Sequence, residues 1–310
     1  MSHGLAKANP PRASVVVLTY NSAPFIGPCL GSLAQLTGGP TEIIVVDNDS
    51  VDGSPDAARK AAQAARLDIR LIELRPNRGC AGGNNAGWRA ARGEFIVFLN
   101  PDTEVTPTFV DALIAPMRSD ASIGITGAKI YYPGTRTLQH AGGIIHPNAM
   151  TNHYGAGEED TGQYDTPRDC AYVTGAGFAV RRSVLERLGG FDEDFYPAYF
   201  EETDLCLRAR RAGWRVVYVP EAVFYHHESV SLVVNSPQFR RLYQRMRILY
   251  CLKNFSLGDW VRFARFERWW MMNEPAARGH RLEQFRAYGE GLSWFIRTRL
   301  RPVSRRWPAG

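Results

Sequence analysis

Between residues 14 and 100 the chain alternates short apolar runs rich in β-branched residues with longer stretches of helical character, and few architectures accommodate that alternation. Ser14 to Thr19 (SVVVLT) reads as a buried strand that ends in the polar Tyr20-Asn21-Ser22. Residues 23–36 predict a helix whose regular part Pro24 and Pro28 confine to the later turns. Glu42 to Val46 (EIIVV) predicts a second strand, and 55–66 a second helix that opens on a proline. A third strand is expected at 69–74, a third helix at 83–91 and a fourth strand at 94–99. The pattern predicts an α/β fold, a mostly parallel mixed sheet flanked by helices. Ligands bind such sheets beyond the carboxyl ends of the strands. The polar clusters at 19–22, 47–50 and 100–102 all fall there, which places the expected site.

From about 122 to 235 the pattern is mixed, with short strands expected at 123–131, 137–146, 171–180 and 215–219 around a helix at 201–212. After Ser236 the text turns to amphipathic helices rich in Arg and aromatics. The division expected is therefore a flexible N-terminus (1–13), a catalytic α/β domain (14–235), a basic helical region (236–300) and a flexible tail (301–310). The net charge of +6 hides an asymmetry: residues 236–310 hold 16 Arg and Lys against 5 Asp and Glu, while 1–235 carry 21 against 26. The five cysteines form no CxxC pair, so neither a zinc site nor a disulfide framework is indicated, and a reduced cytoplasm is the simplest compartment. The first residues lack the apolar core of a secretory signal, and no apolar run is long enough to span a membrane.

Four clusters have the composition of a site. Asn100-Pro101-Asp102 follows FIVFL, and a carboxylate at that edge can share a divalent cation with a diphosphate; the alternative is a turn or capping role. Glu201-Glu202-Thr203-Asp204 opens a helix, where acids complement the dipole, yet Glu201 and Asp204 share one face and Glu202 another. His226 or His227, at a strand end, could ligate a metal or lie on the surface. Residues 75–87 (RPNRGCAGGNNAG) form a glycine-rich turn into a helix, suited to a phosphate or a sugar hydroxyl. Neither GxGxxG nor a P-loop occurs, which disfavours dinucleotide oxidoreductases and P-loop hydrolases.

Seven segments resemble, in order and spacing, the inverting glycosyltransferases of family 2, which have the GT-A fold. They are VVVLTYN (15–21), IIVVDNDSVDGS (43–54), RPNRGCAGGNNAG (75–87), FIVFLNPDTEV (95–105), VTGAGFAVRRSVLERLGGFDEDF (173–195), YFEETDLCLRARRAGWRVVYVP (199–220) and YHHESVS (225–231). The similarity is greatest to a non-processive branch that includes rhamnosyltransferases of cell-surface polysaccharide synthesis. The resemblance implies that Thr19 and Asn21 meet the nucleotide, that Asp47 and Asp49 lie near base and ribose, and that Asn77, Gly82 and Asn85 belong to the donor segment. Asp102 matches the last acid of the family's DxD metal motif, whose first position here is Asn100. His226 matches a histidine that joins the metal, Mg²⁺ or Mn²⁺, with His227 the alternative. Glu202 matches the general base, normally Asp, with Glu201 in reserve. Gly175 and Ala176 match the loop between donor and acceptor, and Asp204 is placed on the acceptor side.

What the resemblance implies is a single in-line displacement from a dTDP- or UDP-linked sugar, rhamnose among the candidates, to a glycan or polyprenyl-linked acceptor. The Arg, Trp and Phe of 236–300 are spaced as in an interfacial helix on anionic headgroups, or alternatively as a stripe packed on protein. That points to a cytoplasmic protein peripheral at the inner face of the plasma membrane. No nucleic-acid module is recognisable, and an oligomer remains open. The competing reading is a sugar-nucleotide-binding protein without turnover.

Overall fold

The computed structural model describes residues 11–228, 236–273 and 281–299, which divide into two compact units. The expectations for residues 1–10 and 301–310, for the boundary at 235 and for the last letters of YHHESVS lie outside the described residues. The first unit runs to Ile144 and resumes at Asn152; the second joins Ile145–Thr151 to the C-terminal segment.

In the first unit the predicted alternation is present. Strands β1 (Ala13–Thr19), β2 (Thr41–Asn48), β3 (Ile69–Leu74) and β4 (Phe95–Leu99) alternate with helices α1 (Ala23–Leu33), α2 (Ser54–Ala65) and α3 (Gly79–Ala90). There follow β5 (Thr103–Val105), α4 (Phe109–Ser119), β6 (Ile123–Tyr131), β7 (Leu138–His140), β8 (Gly143–Ile145), β9 (Thr151–His153), β10 (Arg168–Asp169), β11 (Gly177–Arg181), α5 (Arg182–Leu188), α6 (Glu201–Arg211) and β12 (Arg215–His226). The main sheet has the order β10-β12-β6-β11-β4-β1-β2-β3. β1 pairs in parallel with both β2 and β4, so the chain winds outward in two directions from β1. A crevice opens at such a switch point. β11 is antiparallel to β4 and β6, which makes the sheet mixed. The core is aliphatic and aromatic, with Val15, Val17, Ile43, Val45, Val97, Leu113 and Phe224 among its buried members.

The strand expected at 137–146 is two short ones, β7 and β8, and the one expected at 171–180 begins only at Gly177. Three further elements differ from the sequence expectation. α1 is regular from Ala23: Pro24 sits in the first turn, where its missing N–H has no intrahelical role, and only Pro28 interrupts the ladder. β12 does not stop at 219. It continues to His226 across a register shift between Val219 and Val223, where Pro220 needs no ladder donor. α3 starts four residues earlier than expected, so Gly79 to Gly83 are helical rather than a turn. The glycines are there for close approach: a Cβ on Gly83 would lie 2.3 Å from Leu18 Cδ1, and one on Gly87 2.3 Å from Val16 Cγ1. They let α3 lie directly on β1 and β2.

The second unit comprises α7 (Pro237–Asn254), α8 (Leu257–Asn273) and α9 (Arg281–Arg299) with the loop Ile145–Thr151. Ser236 caps α7 by accepting from Phe239 N. Ser256 and Asp259 cap α8 reciprocally: Asp259 N donates to Ser256 Oγ (3.2 Å) and Ser256 N to Asp259 Oδ2 (2.9 Å). At the centre Arg247 is fully buried. It donates to Asn148 O (2.7 Å), to both Glu267 oxygens (3.0 and 2.7 Å) and to the Tyr288 hydroxyl (2.9 Å). One guanidinium thus ties all three helices to the 145–151 loop, which is why that loop belongs to this unit.

Two tests of stability follow from these contacts. Gly31, in α1, has open space around its Cβ position. Gly31→Ala should therefore stabilise by about 1 kcal/mol, whereas Gly87→Ala should destabilise by about 1–3 kcal/mol through overpacking; urea midpoints compare the two. Arg247→Leu strands a buried carboxylate and should cost about 3–5 kcal/mol, with much of the loss recovered in the Arg247→Leu/Glu267→Leu double variant.

Candidate functional site

The carboxyl ends of β1, β2 and β4 gather the polar clusters. Register sets Thr19 beside Asp47 and Val17 beside Leu99, so Asn100 to Asp102 leave the sheet next to the β1–α1 loop. Thr19 and Asp47 are fully buried, and Thr19 Oγ1 and Asp47 Oδ1 have no hydrogen-bond partner. Buried oxygens without partners at a crevice suit a ligand that donates. Asp47 Oδ2 accepts from Ser50 N (3.2 Å) and Arg75 Nη1 (2.9 Å), while Arg75 Nε lies 3.3 Å from Asp49 Oδ1. Arg75, which the sequence reading passed over, is the cation between two expected nucleotide-side acids, and Asp47 raises its pKa. Asn21 and Asp49 both adopt positive φ (50° and 73°), and Asn21 Oδ1 accepts from Val51 N. Asn77 Oδ1 accepts from Asn48 Nδ2 (3.1 Å) and Gly79 N (2.8 Å), fixing the turn into α3. Gly82 lies in the first turns of that helix beside Arg78 and Glu193.

Asn85 and Asp204 serve one loop. Asn85 Nδ2 donates to Phe191 O and Glu193 Oε1, and its Oδ1 accepts from Trp88 Nε1 and Phe191 N, each at 2.9 Å. All four of its hydrogen-bonding positions are used inside the protein. Asp204 is buried and accepts from Arg208 Nε (2.6 Å), and the same guanidinium donates to Leu188 O and Gly190 O. Together they clamp residues 188–193 from two sides. The i, i+4 spacing of Asp204 and Arg208 was the available signal for that pair.

On the metal side, Asp102 Oδ1 lies 3.4 Å from His226 Nε2, whereas His227 turns to Glu104 (2.8 Å). Asp102 and His227 also border a cavity of about 200 Å³ with Pro24, Phe25, Pro28 and Thr103. Gln139, another residue absent from the sequence reading, determines the state of His226. Its Nε2 donates to His226 O (2.6 Å), so its Oε1, 3.0 Å from His226 Nδ1, must accept. Nδ1 then carries the hydrogen, and in the neutral ring the Nε2 lone pair faces a carboxylate oxygen. Two electron-rich atoms held in that relation suit a cation between them, with an outer hydrogen bond of the kind that orients ligating histidines. Among the described residues no three His, Cys, Asp or Glu side chains converge on one point. The protein would therefore supply Asp102 and His226, and phosphate oxygens and water the remainder.

The glutamates of α6 form the second acidic cluster. The helix is entered through two consecutive non-glycine residues in the left-handed region, Tyr199 (φ 80°) and Phe200 (φ 72°), a conformation that costs energy and clusters at functional sites. Phe200, 2% exposed, anchors it. Glu201 is buried, its Oε2 has no hydrogen-bond partner, and burial followed by the charge of Glu202 drives its carboxyl well upward. The Cys80 thiol bonds Glu201 and is itself raised by burial. Glu202 is half-buried, and burial pushes its carboxyl up to about 7. A Cβ on Gly175 would lie 3.7 Å from the Glu202 carboxyl carbon, and the next residue, Ala176, accepts from Asn100 N (2.9 Å). That bond links the segment beside Glu202 to the Asp102 loop.

The role assigned to Gln139 is open to direct measurement. Gln139→Leu removes the acceptor at Nδ1 and should lower Mn²⁺ affinity, read by electron paramagnetic resonance, by about 10–100-fold. Gln139→Glu keeps an acceptor there and should retain most of it. Equal affinity in the Leu variant would remove His226 orientation from the account.

The family described as Glycosyl transferase family 2 matches residues 14–189. An uncharacterized protein, y4gI of Sinorhizobium fredii, is 30% identical over 262 residues, which is 81% of this chain but only 28% of that relative's length. An N-acetylglucosaminyl-diphospho-decaprenol L-rhamnosyltransferase of Mycobacterium tuberculosis is 26% identical over 293 residues, 86% of this chain and 91% of its own. A mannosyltransferase from Pyrobaculum calidifontis, solved in complex with GDP-Man and Mn²⁺, shares the fold with a TM-score of 0.59 at 21% identity, over 95% of this chain and 77% of that one. The fold expected from sequence, a GT-A sheet with a C-terminal helical segment, is the fold present. With the match to 14–189 spanning more than half of its length, the chain belongs to glycosyl transferase family 2.

Proposed function

We propose that the chain transfers a sugar, with inversion, from a nucleoside-diphosphate donor to a glycan or polyprenyl-linked acceptor in cell-surface polysaccharide synthesis. The observation that carries this reading is a pair of carboxylates of different character joined through one backbone bond: Asp102 lies beside His226, and Glu202, its pKa raised by burial, lies beside the Gly175–Ala176 segment that bonds Asn100. The match to a rhamnosyltransferase acting on a decaprenol-linked substrate supports rhamnose among the candidate sugars and a lipid-linked acceptor; the donor in this reading is dTDP- or UDP-linked, as the family resemblance implies. Among the described residues no helix is long and apolar enough to cross a membrane. A cytoplasmic enzyme, peripheral at the inner face of the plasma membrane, fits the basic second unit.

In this reading Thr19, Asp47 and Asp49 receive the nucleoside, Arg75 holds the two acids in place, and Asn77 sets the turn that presents α3. Asp102 and His226 hold Mg²⁺ or Mn²⁺, which would neutralise charge developing on the leaving diphosphate. Glu202 accepts the proton of the acceptor hydroxyl as that oxygen attacks the anomeric carbon. Glu201 is the less suitable base: it is buried and bonded by Cys80, and it stays protonated to higher pH. Its charge is thereby withheld, and Glu202 alone of the pair ionises near neutrality.

The first experiment is release of nucleoside diphosphate from a panel of sugar nucleotides with Mn²⁺, Mg²⁺ or chelator. Glu202→Gln should lower the rate by about 10²–10⁴-fold, the range for loss of a general base, and Asp102→Ala should abolish the metal requirement together with turnover. Donor binding without release from any variant, wild type included, would mean a binding protein instead. The pH profile has a defined sign. A carboxyl raised to about 7 is protonated, and unable to act as a base, below that value. The rate under saturating donor should therefore climb up to tenfold per pH unit below pH 7 and level off above it. A flat profile between pH 5 and 8 would remove Glu202 from the role.

A further inference from the structure

α8 presents an anomaly. Of its 17 residues only Glu267 is buried, although the helix carries Trp260, Val261, Phe263, Phe266, Trp269, Trp270, Met271 and Met272. Phe266 stacks on His146, and Phe263 meets Phe255 and the Arg247 guanidinium, yet Val261, Trp269 and Met272 remain exposed. Between α8 and α9 lies a cavity of about 640 Å³ whose walls are Trp260, Phe263, Met271, Met272, Phe285 and Tyr288. That volume lies in the range of small-ligand sites, which are concave, apolar and edged by a few polar groups. Met272 and Phe285 are 49% and 58% exposed. Glu267, also on the wall, is paired with Arg247 and supplies no free charge.

The three helices of this unit are basic overall. The described residues of the three helices carry twelve Arg and Lys against four Asp and Glu. Of the acids, Asp259 pairs with Arg262, Glu267 with Arg247 and Glu290 with Arg241. Arg268 stands on the wall itself, and Arg286 follows Phe285 on α9. A hydrocarbon chain ending in phosphate matches both features, the apolar trough and the cationic edge. A bilayer surface would meet a convex stripe; the shape here is a trough, and its two methionines can adapt to a branched, irregular chain.

Resting on the reading of a polyprenyl-linked acceptor, we propose that the α8–α9 groove binds the prenyl chain of that acceptor, with Arg268 directed to its phosphate. The test is direct binding of farnesyl phosphate to the full chain by isothermal titration, alongside farnesol and inorganic phosphate. Farnesyl phosphate should bind, farnesol more weakly, and phosphate alone not measurably. Met272→Glu and Phe285→Glu place a charge in the apolar trough and should weaken binding by about tenfold or more. Val261→Glu, on α8 but outside the walls, should leave it unchanged; circular dichroism confirms that each variant is folded. Arg268→Ala should narrow the difference between farnesyl phosphate and farnesol.

Three results would overturn the proposal. The first is no binding of farnesyl phosphate, or binding indifferent to both groove variants. The second is co-sedimentation with phosphatidylglycerol vesicles, lost equally in Met272→Glu and Val261→Glu, without affinity for farnesyl phosphate; this identifies a bilayer-facing surface. The third is a concentration-dependent dimer, seen by light scattering and abolished by Met272→Glu, that excludes farnesyl phosphate; this identifies a second copy as the occupant. Titration is independent of turnover, so it separates the two readings. Donor cleavage without farnesyl phosphate binding defeats the groove alone, and groove-dependent binding without donor cleavage defeats the transferase reading alone.

Discussion

The pairing of β1 with β2 on one side and β4 on the other places every polar group of the first unit. Parallel strands fixed in register bring their carboxyl ends to a common edge, and a one-residue slip would carry every side chain to the opposite face. With Thr19 opposite Asp47, and with Asn100 just past the last β1–β4 pair, the nucleotide-side acids and the Asp102 loop must rise from the same crevice. The strands can be this regular because both faces are covered, α3 lying so close over β1 that Gly83 and Gly87 have no room for a side chain.

From that edge the site divides electrostatically. Around Asp102 the protein assembles groups that stabilise a cation: a carboxylate, an imidazole lone pair oriented by Gln139, and a crevice open to ligand oxygens. Around Glu202 it does the reverse: burial raises the cost of charge there, and at the neighbouring Glu201 burial and the charge of Glu202 raise it further. Keeping two acids of opposite disposition apart is how one fold runs metal and base chemistry together at neutral pH. The left-handed backbone at Tyr199 and Phe200 has its place here. It starts α6 at Glu201, and so decides which acid of the Glu-Glu pair is buried and which is half-exposed.

How far the sequence revealed this depends on what kind of signal each part leaves. Buried parallel strands leave a strong one, and β1 to β4 were readable from SVVVLT, EIIVV and their successors, as was the edge where their polar ends collect. Helix limits were obscured where glycine carries two meanings. The run from Gly79 to Gly83 reads as a turn, yet it is helix, because close packing and chain flexibility ask for the same residue. Asn85 has the composition of a site but spends its polar atoms on the 188–193 loop and Trp88, and Asp204 holds the arginine that bonds the same loop; composition cannot tell a donor aimed at ligand from one aimed at backbone. Gln139 left no pattern at all, and Arg75, though it opens the glycine-rich segment, gave no sign of its partner. Their importance arises from contacts 87 and 28 residues away in the chain, which periodicity does not register.

The second unit follows a different economy of burial. In the first, apolar residues fill the centre and charges stand at one edge. In the second, the centre is an ion pair, Arg247 with Glu267, wrapped by Asn148 and Tyr288, while Trp269, Met272, Phe285, Leu292 and Ile296 remain on the outside. A buried ion pair contributes little net stability compared with apolar packing, but it is strict about geometry, since any other arrangement leaves a charge unpaired. Such a centre, with Tyr288 bonded to it and Phe263 beside the guanidinium, fixes how three helices meet while leaving Met272 and Phe285 exposed on the walls of the groove between α8 and α9.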